Sequence, residues 1–127
     1  MAQPKVLVVE DQLLVLHLSA QMFRYEGLDV VEAANTDDAS DILHAVGEEI
    51  AVVFSDILTP GELDGMALAH VVHERWPSIR VVLTSGVVVP VAAALPKQTR
   101  FVPKPYDLRQ VTRLITSLAG GPARAAL

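Results

Sequence analysis

Glu10 and Asp11 follow directly on the apolar run Lys5 to Val9 (KVLVV), and Asp56 closes the run Ala51-Val52-Val53-Phe54-Ser55. Thr84 follows Ile79 to Leu83 (IRVVL), and Lys104 stands just past the short run Arg100 to Val102. Runs of β-branched and aromatic residues suit strands buried on both faces, so each of these polar groups falls at the carboxyl end of a strand. In a parallel sheet all such ends lie on one edge, where open α/β sheets bind their ligands. Three carboxylates crowded there repel one another, and a divalent cation relieves the repulsion. Mg²⁺ prefers hard oxygen ligands and keeps several waters, so a few carboxylates suffice. The ammonium of Lys104 and the hydroxyl of Thr84 suit an anion beside the metal. Together these groups make a phosphoryl-transfer site, where catalysis is mostly positioning and charge stabilisation.

The rest of the chain reads as the frame for that edge. Leu13 to Tyr25 reads as a helix closed by Gly27, a natural residue just past a helix end. Leu13, Leu14, Val15 and Leu16 are consecutive and cannot all face one core, so one or two of them are expected at the surface. Asp29 to Ala33 is a short strand. Asn35 or Thr36 caps a helix with Asp37 and Asp38 in its first turn, as the helix dipole favours, ending near Gly47. A helix from about Gly65 to Arg75 follows the central strand and stops at Trp76-Pro77. Val87 to Leu95 is ambiguous, and one reading is a short helix that starts at Pro90, runs through Ala92-Ala93-Ala94 and is ended by Pro96. Pro103 lacks an N–H for a ladder, which puts the fifth strand at a sheet edge. Asp107 caps a last helix, Leu108 to Leu118, and residues 119–127 read as a loose tail. Five alternations of strand and helix predict a parallel sheet with helices on both faces and right-handed crossovers.

Composition narrows the function classes. The chain has 127 residues, 51% apolar and 20% charged, which suits one globular domain. A net charge of −5 disfavours nucleic acid as a partner. The absence of cysteine excludes disulfides, thiolate metal sites and cysteine nucleophiles. No apolar run is long enough to span a bilayer and the N-terminus has no signal-peptide pattern, so a cytoplasmic protein is the expectation.

Four segments together resemble the receiver domain of two-component response regulators. They are VLVVED, FSDILTPGELDG, VVLTSG and FVPKPY, in that order and at the family's separations, and the resemblance covers about residues 4 to 118. It implies a flavodoxin-like (βα)5 fold, with a five-stranded parallel sheet of order 2-1-3-4-5. It implies Asp56 as phosphoacceptor, with Mg²⁺ or Mn²⁺ on Glu10, Asp11, Asp56 and the backbone carbonyl of Leu58. It further implies Thr84 as switch hydroxyl, Phe101 as switch aromatic, Lys104 as phosphate-binding lysine, and a cis bond between Lys104 and Pro105. The expected partners are a histidine kinase or histidine phosphotransfer protein and a downstream protein target, with the chain a monomer or weak homodimer. Leu13, Leu14, Leu16 and Pro105 are the expected docking residues.

The chain departs from the family's commonest pattern in several places. The acidic pair is Glu-Asp where Asp-Asp is commonest, Thr59 stands where methionine is common, and the loop from Asp56 to Asp64-Gly65 is one residue longer. The leading expectation is a stand-alone receiver whose output is protein binding. A receiver belonging to a hybrid histidine kinase is the second reading. A small Mg²⁺-dependent phosphohydrolase is the third, and it lacks an obvious general acid. Asp11 also reads as a helix cap, and Asp64 and Asp107 read as caps only. His70 and His73, three apart, read as a solvated helix face rather than a metal site.

Overall fold

The computed structural model describes residues 3–120. Its five strands are β1 (Lys5–Val9), β2 (Asp29–Ala33), β3 (Ile50–Asp56), β4 (Arg80–Ser85) and β5 (Thr99–Pro103). Its helices are α1 (Leu13–Tyr25), α2 (Thr36–Val46), α3 (Gly65–Arg75) and α4 (Leu108–Ala119). All strand pairs are parallel, in the order β2-β1-β3-β4-β5. The expected flavodoxin-like sheet is thus present.

Period-two alternation of the strands decides which helix covers which face. Val6 and Val8 of β1, Val52 and Phe54 of β3 and Val82 of β4 meet Leu16, Ala20 and Phe23 of α1 and Val111 and Ile115 of α4. Leu7, Val9, Val53, Val81 and Leu83 point the other way, onto Ala39 and Leu43 of α2 and Leu68, Ala69 and Val72 of α3. Each fully buried aliphatic or aromatic side chain contributes roughly 1.5–3 kcal/mol, so both faces of the central strands are firmly held. The turns are stapled by caps. Asn35 Oδ1 accepts the Asp38 N–H at 2.7 Å, Asp64 Oδ1 that of Ala67 at 2.8 Å, and Asp107 Oδ1 that of Arg109 at 2.8 Å.

Three expectations need correction. The connection between β4 and β5, where a short helix through Ala92-Ala93-Ala94 was one reading, carries a single 3₁₀ turn on those residues, so the described residues form four α-helices rather than the five of a (βα)5 count. Val87, Val88, Val89 and Val91 are β-branched, and Pro90 interrupts them without an N–H, so no helix propagates there. Leu16 is 3% exposed and belongs to the core, whereas Leu13 and Leu14 are exposed. The surface members of that run are therefore its first two, and Leu16 is unavailable for docking. At the C-terminal end Ala119 is the last residue of α4 rather than the first of a tail. The rest of that expected tail, residues 121–127, lies outside the described residues.

Candidate functional site at the carboxyl edge of the sheet

The sheet registers bring the predicted groups together. Val9 pairs with Ser55, so Glu10 leaves β1 beside the end of β3. Asp56 is level with Thr84 on β4, and Ser85 is level with Pro103 on β5, which places Lys104 one residue beyond. Backbone bonds complete the rim. The Glu10 N–H donates to the Ala33 carbonyl at 3.0 Å, that of Ile57 to Thr84 at 2.9 Å, and that of Lys104 to Ser85 at 3.0 Å. The bond between Lys104 and Pro105 is cis.

Lys104 Nζ donates to Asp56 Oδ2 at 2.7 Å and lies 3.9 Å from Glu10 Oε1. Both carboxylates are buried at the bottom of the site. Burial pushes the Glu10 carboxyl above the usual carboxylate range, and the nearby Asp56 and Asp11 add to this. The Gln12 amide and Lys104 oppose it. The Gln12 N–H donates to Glu10 Oε2 at 3.0 Å. Burial lowers the affinity of Lys104 for its proton, but the bond to Asp56 and the charges of Asp56 and Glu10 outweigh it, so its pKa is raised. Thr84 is buried, and its Oγ1 has no hydrogen-bond partner among the described residues. An orphaned buried hydroxyl carries a desolvation cost of roughly 1–3 kcal/mol, so a group arriving beside Asp56 that accepts this hydrogen bond gains from it.

Asp11 is exposed, and the residue preceding α1 is Gln12, whose side chain makes no cap bond. The capping role is thus not what Asp11 performs, and its side chain adds to the upward push on the Glu10 carboxyl. Leu58 is 53% exposed at the mouth of the loop after β3. Among the described residues no three acidic or imidazole side chains converge as a ready ligand cage. The buried carboxylates of Glu10 and Asp56, with Asp11 next along the chain, still suit Mg²⁺, which takes few protein ligands and keeps its waters. Phe101 is half-buried against the core on the α2–α3 face.

A cleft of about 480 Å³, lined by Gln12, Val15, Gly86, Lys104, Pro105 and Tyr106, opens beside the site. Leu13 and Leu14, which stand between Gln12 and Val15 in the chain, are exposed, and Pro105 is exposed on the cleft's rim. The surface is larger than the one expected. Leu18 and Tyr25 are also exposed, and Leu18, Met22 and Tyr25 line a second, apolar cleft with Leu108. The signal was present in the sequence: Leu14, Leu18, Met22 and Tyr25 recur at helical spacing beside the core stripe Leu16, Ala20 and Phe23.

The family model of the response regulator receiver domain matches residues 6–116. The chain belongs to this family. The sensor kinase CckA of Brucella abortus is 31% identical over 116 residues, which span 89% of this chain and 12% of that protein. The receiver domain from the hybrid histidine kinase CckA superposes with a TM-score of 0.78 at 26% identity, covering 91% of this chain and 98% of that one. The CheX-CheY-BeF3-Mg²⁺ complex of Borrelia burgdorferi aligns with a TM-score of 0.78 at 26% identity, covering 90% of this chain and 87% of that one. This receiver is a signalling domain of two-component systems. No helix among the described residues is long and apolar enough to cross a membrane.

Proposed function

We propose that this receiver accepts a phosphoryl group from a phosphohistidine onto Asp56 and signals by phosphorylation-dependent protein binding. The observation that carries the reading is the 2.7 Å contact between Lys104 Nζ and Asp56 Oδ2, at a strand end level with the unpaired hydroxyl of Thr84. An Asp56 carboxylate oxygen attacks phosphorus, a P–O bond forms, and the P–N bond breaks with its electron pair leaving on the imidazole. Lys104 follows the negative charge from carboxylate to phosphoryl oxygen. Thr84 donates its hydroxyl to another phosphoryl oxygen, which gives a buried donor the partner it lacks. Glu10, Asp11, Asp56 and the Leu58 carbonyl would hold Mg²⁺ or Mn²⁺, which supplies positive charge to the equatorial oxygens when bound. The Mg²⁺ named with the CheX-CheY complex supports a divalent cation in this reading. Movement of Thr84 frees space for Phe101, so the unphosphorylated and phosphorylated chains differ as two packings of one core.

Leu13, Leu14 and Pro105 rim the site and form the surface for the donor, a histidine kinase or phosphotransfer protein. A receiver working alone passes the signal to a separate protein target. The second reading, a receiver module of a hybrid kinase, is favoured by the likeness to CckA. The decisive experiment is intact-mass analysis after incubation with Mg²⁺ and acetyl phosphate. One added phosphoryl group, absent in Asp56→Asn, is the expected result. No addition to the unmodified chain, or undiminished addition to Asp56→Asn, overturns the reading.

A further inference from the structure

The loop between β3 and α3 is seated on the start of α2. The Thr36 N–H donates to the Pro60 carbonyl at 2.9 Å. The Thr36 hydroxyl donates to the Leu63 carbonyl at 2.7 Å and approaches the Pro60 carbonyl at 3.3 Å. Asp37 Oδ1 accepts the Glu62 N–H at 3.2 Å. Between these contacts Gly61, at φ +125°, lies so close that a Cβ would sit 2.1 Å from Thr36 Oγ1 and 3.1 Å from the Thr36 nitrogen. Only glycine fits there, both for the backbone angle and for the space.

Helix capping does not account for Thr36. Asn35 is the cap, accepting the Asp38 N–H at 2.7 Å. The buried hydroxyl of Thr36 is directed to the loop instead. The loop's other end is fixed by the sheet: the Ile57 N–H donates to the Thr84 carbonyl at 2.9 Å, and the Gly65 N–H donates to the Ile57 carbonyl at 2.7 Å. Leu58 and Thr59 form the span between the two anchorages. The Leu58 carbonyl therefore takes its place from Ile57 on one side and from the seat on α2 on the other.

We propose that Thr36 and Asp37 are positioning residues for phosphoryl transfer. They clamp residues 60–63 and so preset the Leu58 carbonyl as a cation ligand beside Asp56, an inference that rests on the phosphoacceptor reading above. Loosening the clamp lets the loop swing between Ile57 and Gly65, so cation binding must then order it, and affinity falls by that ordering cost.

The test compares Thr36→Val, which keeps the shape and removes the hydroxyl, with Thr36→Ser, which restores it, and with Asp37→Ala. Mg²⁺ affinity is measured by calorimetric titration, and phosphorylation by acetyl phosphate is followed against Mg²⁺ concentration. Backbone ¹⁵N relaxation of residues 58–63 reads the loop directly. Thr36→Val is expected to raise the Mg²⁺ Kd about fivefold, the order expected for one lost hydrogen bond. It should raise the Mg²⁺ needed for half-maximal phosphorylation in parallel, leave the rate at saturating Mg²⁺ near that of the unmodified chain, and loosen residues 58–63. Thr36→Ser should return all of these to within about twofold. Asp37 is exposed, so Asp37→Ala carries the same test should Thr36→Val not fold. Unchanged Mg²⁺ affinity in Thr36→Val and Asp37→Ala, or failure of Thr36→Ser to rescue, overturns the proposal. An unmodified chain that takes neither Mg²⁺ nor phosphoryl overturns the phosphoacceptor reading and the positioning role with it. Loosened relaxation in Thr36→Val would then leave only a structural clamp.

Discussion

Lys104→Met removes the one cation that, among the described residues, contacts the buried carboxylates, and leaves its aliphatic stem. In the present structure Lys104 Nζ is 2.7 Å from Asp56 and 3.9 Å from Glu10, with side-chain exposures of 31%, 11% and 7%. Breaking a fully buried ion pair costs about 3–5 kcal/mol, while exposed pairs are worth about 0–1. Two carboxylates that stay buried against a one-third exposed ammonium fall between these limits, at about 2 kcal/mol. For a domain of this size that corresponds to a fall in Tm of roughly 8 °C in metal-free buffer. Magnesium should reverse much of it. A cation at 100 times its Kd stabilises the folded state by about 2.7 kcal/mol. In the variant it meets carboxylates with no ammonium to displace, so it should bind more tightly there. The two melting temperatures, read by circular dichroism with chelator and then with saturating Mg²⁺, should differ by less than half as much in the second condition. An equal difference in both would mean that the ammonium and the metal act on separate carboxylates, and the electrostatic account of the site would fail.

Asp11→Ala should lose Mg²⁺ affinity and phosphorylation together while its stability stays within about 0.5 kcal/mol, because the residue is exposed; calorimetry showing unchanged affinity would remove it from the ligand set. Leu16→Ala should cost about 2–5 kcal/mol in denaturant unfolding as a core truncation. Leu14→Glu should keep stability within about 0.5 kcal/mol yet slow transfer from a cognate kinase while acetyl phosphate still works. Equal failure with both donors would take Leu14 out of the docking surface. Self-dephosphorylation should be slower in the unmodified chain than in Leu58→Asn or Leu58→Asn, Gly86→Glu, since neither Leu58 nor Gly86 orients water. A Cβ on Gly86 meets Lys104 only at ordinary contact distance, 3.6 Å, so the glutamate has room. The difference should stay below the ~10²-fold lower end of acid–base effects, and equal decay of phosphorylated protein in all three would refute the reading of these positions.

Most of the fold was legible because strand and helix periods are local. α1, β2 and α3 fall where their apolar spacing and their boundary residues Gly27, Asp29 and Trp76-Pro77 put them. The registers that align Asp56 with Thr84 follow from the parallel order, so the chemistry could be read from strand ends alone. What was not legible depends on the tertiary frame. Four consecutive apolar residues, Leu13 to Leu16, give no phase by themselves; the phase comes from Ala20 and Phe23 packing on β1 and β3. The short helix read after β4 is only the 3₁₀ turn Ala92–Ala94, because three alanines between two prolines are too few to nucleate an α-helix. The seating of residues 60–63 on α2 joins segments more than twenty residues apart, so local sequence patterns do not announce it.

β5 is the thinly covered member of the sheet. Among the described residues it pairs with β4 alone, and none of its five residues is fully buried, whereas β1 and β3 are buried almost throughout. Regions with few buried contacts open at free energies well below that of global unfolding. In deuterium exchange the amides of β1 and β3 should therefore report whole-molecule unfolding, and those of β5 a smaller, separate opening. Lys104 leaves the site whenever that opening occurs, because it stands at the end of the detaching strand. Anything that holds Lys104 also holds β5, so on the proposed function a phosphoryl group on Asp56 would act as a clasp on the sheet's last strand and should slow its exchange selectively. The covalent state of one carboxylate would then become a difference in how often a whole edge of the molecule is open to another protein.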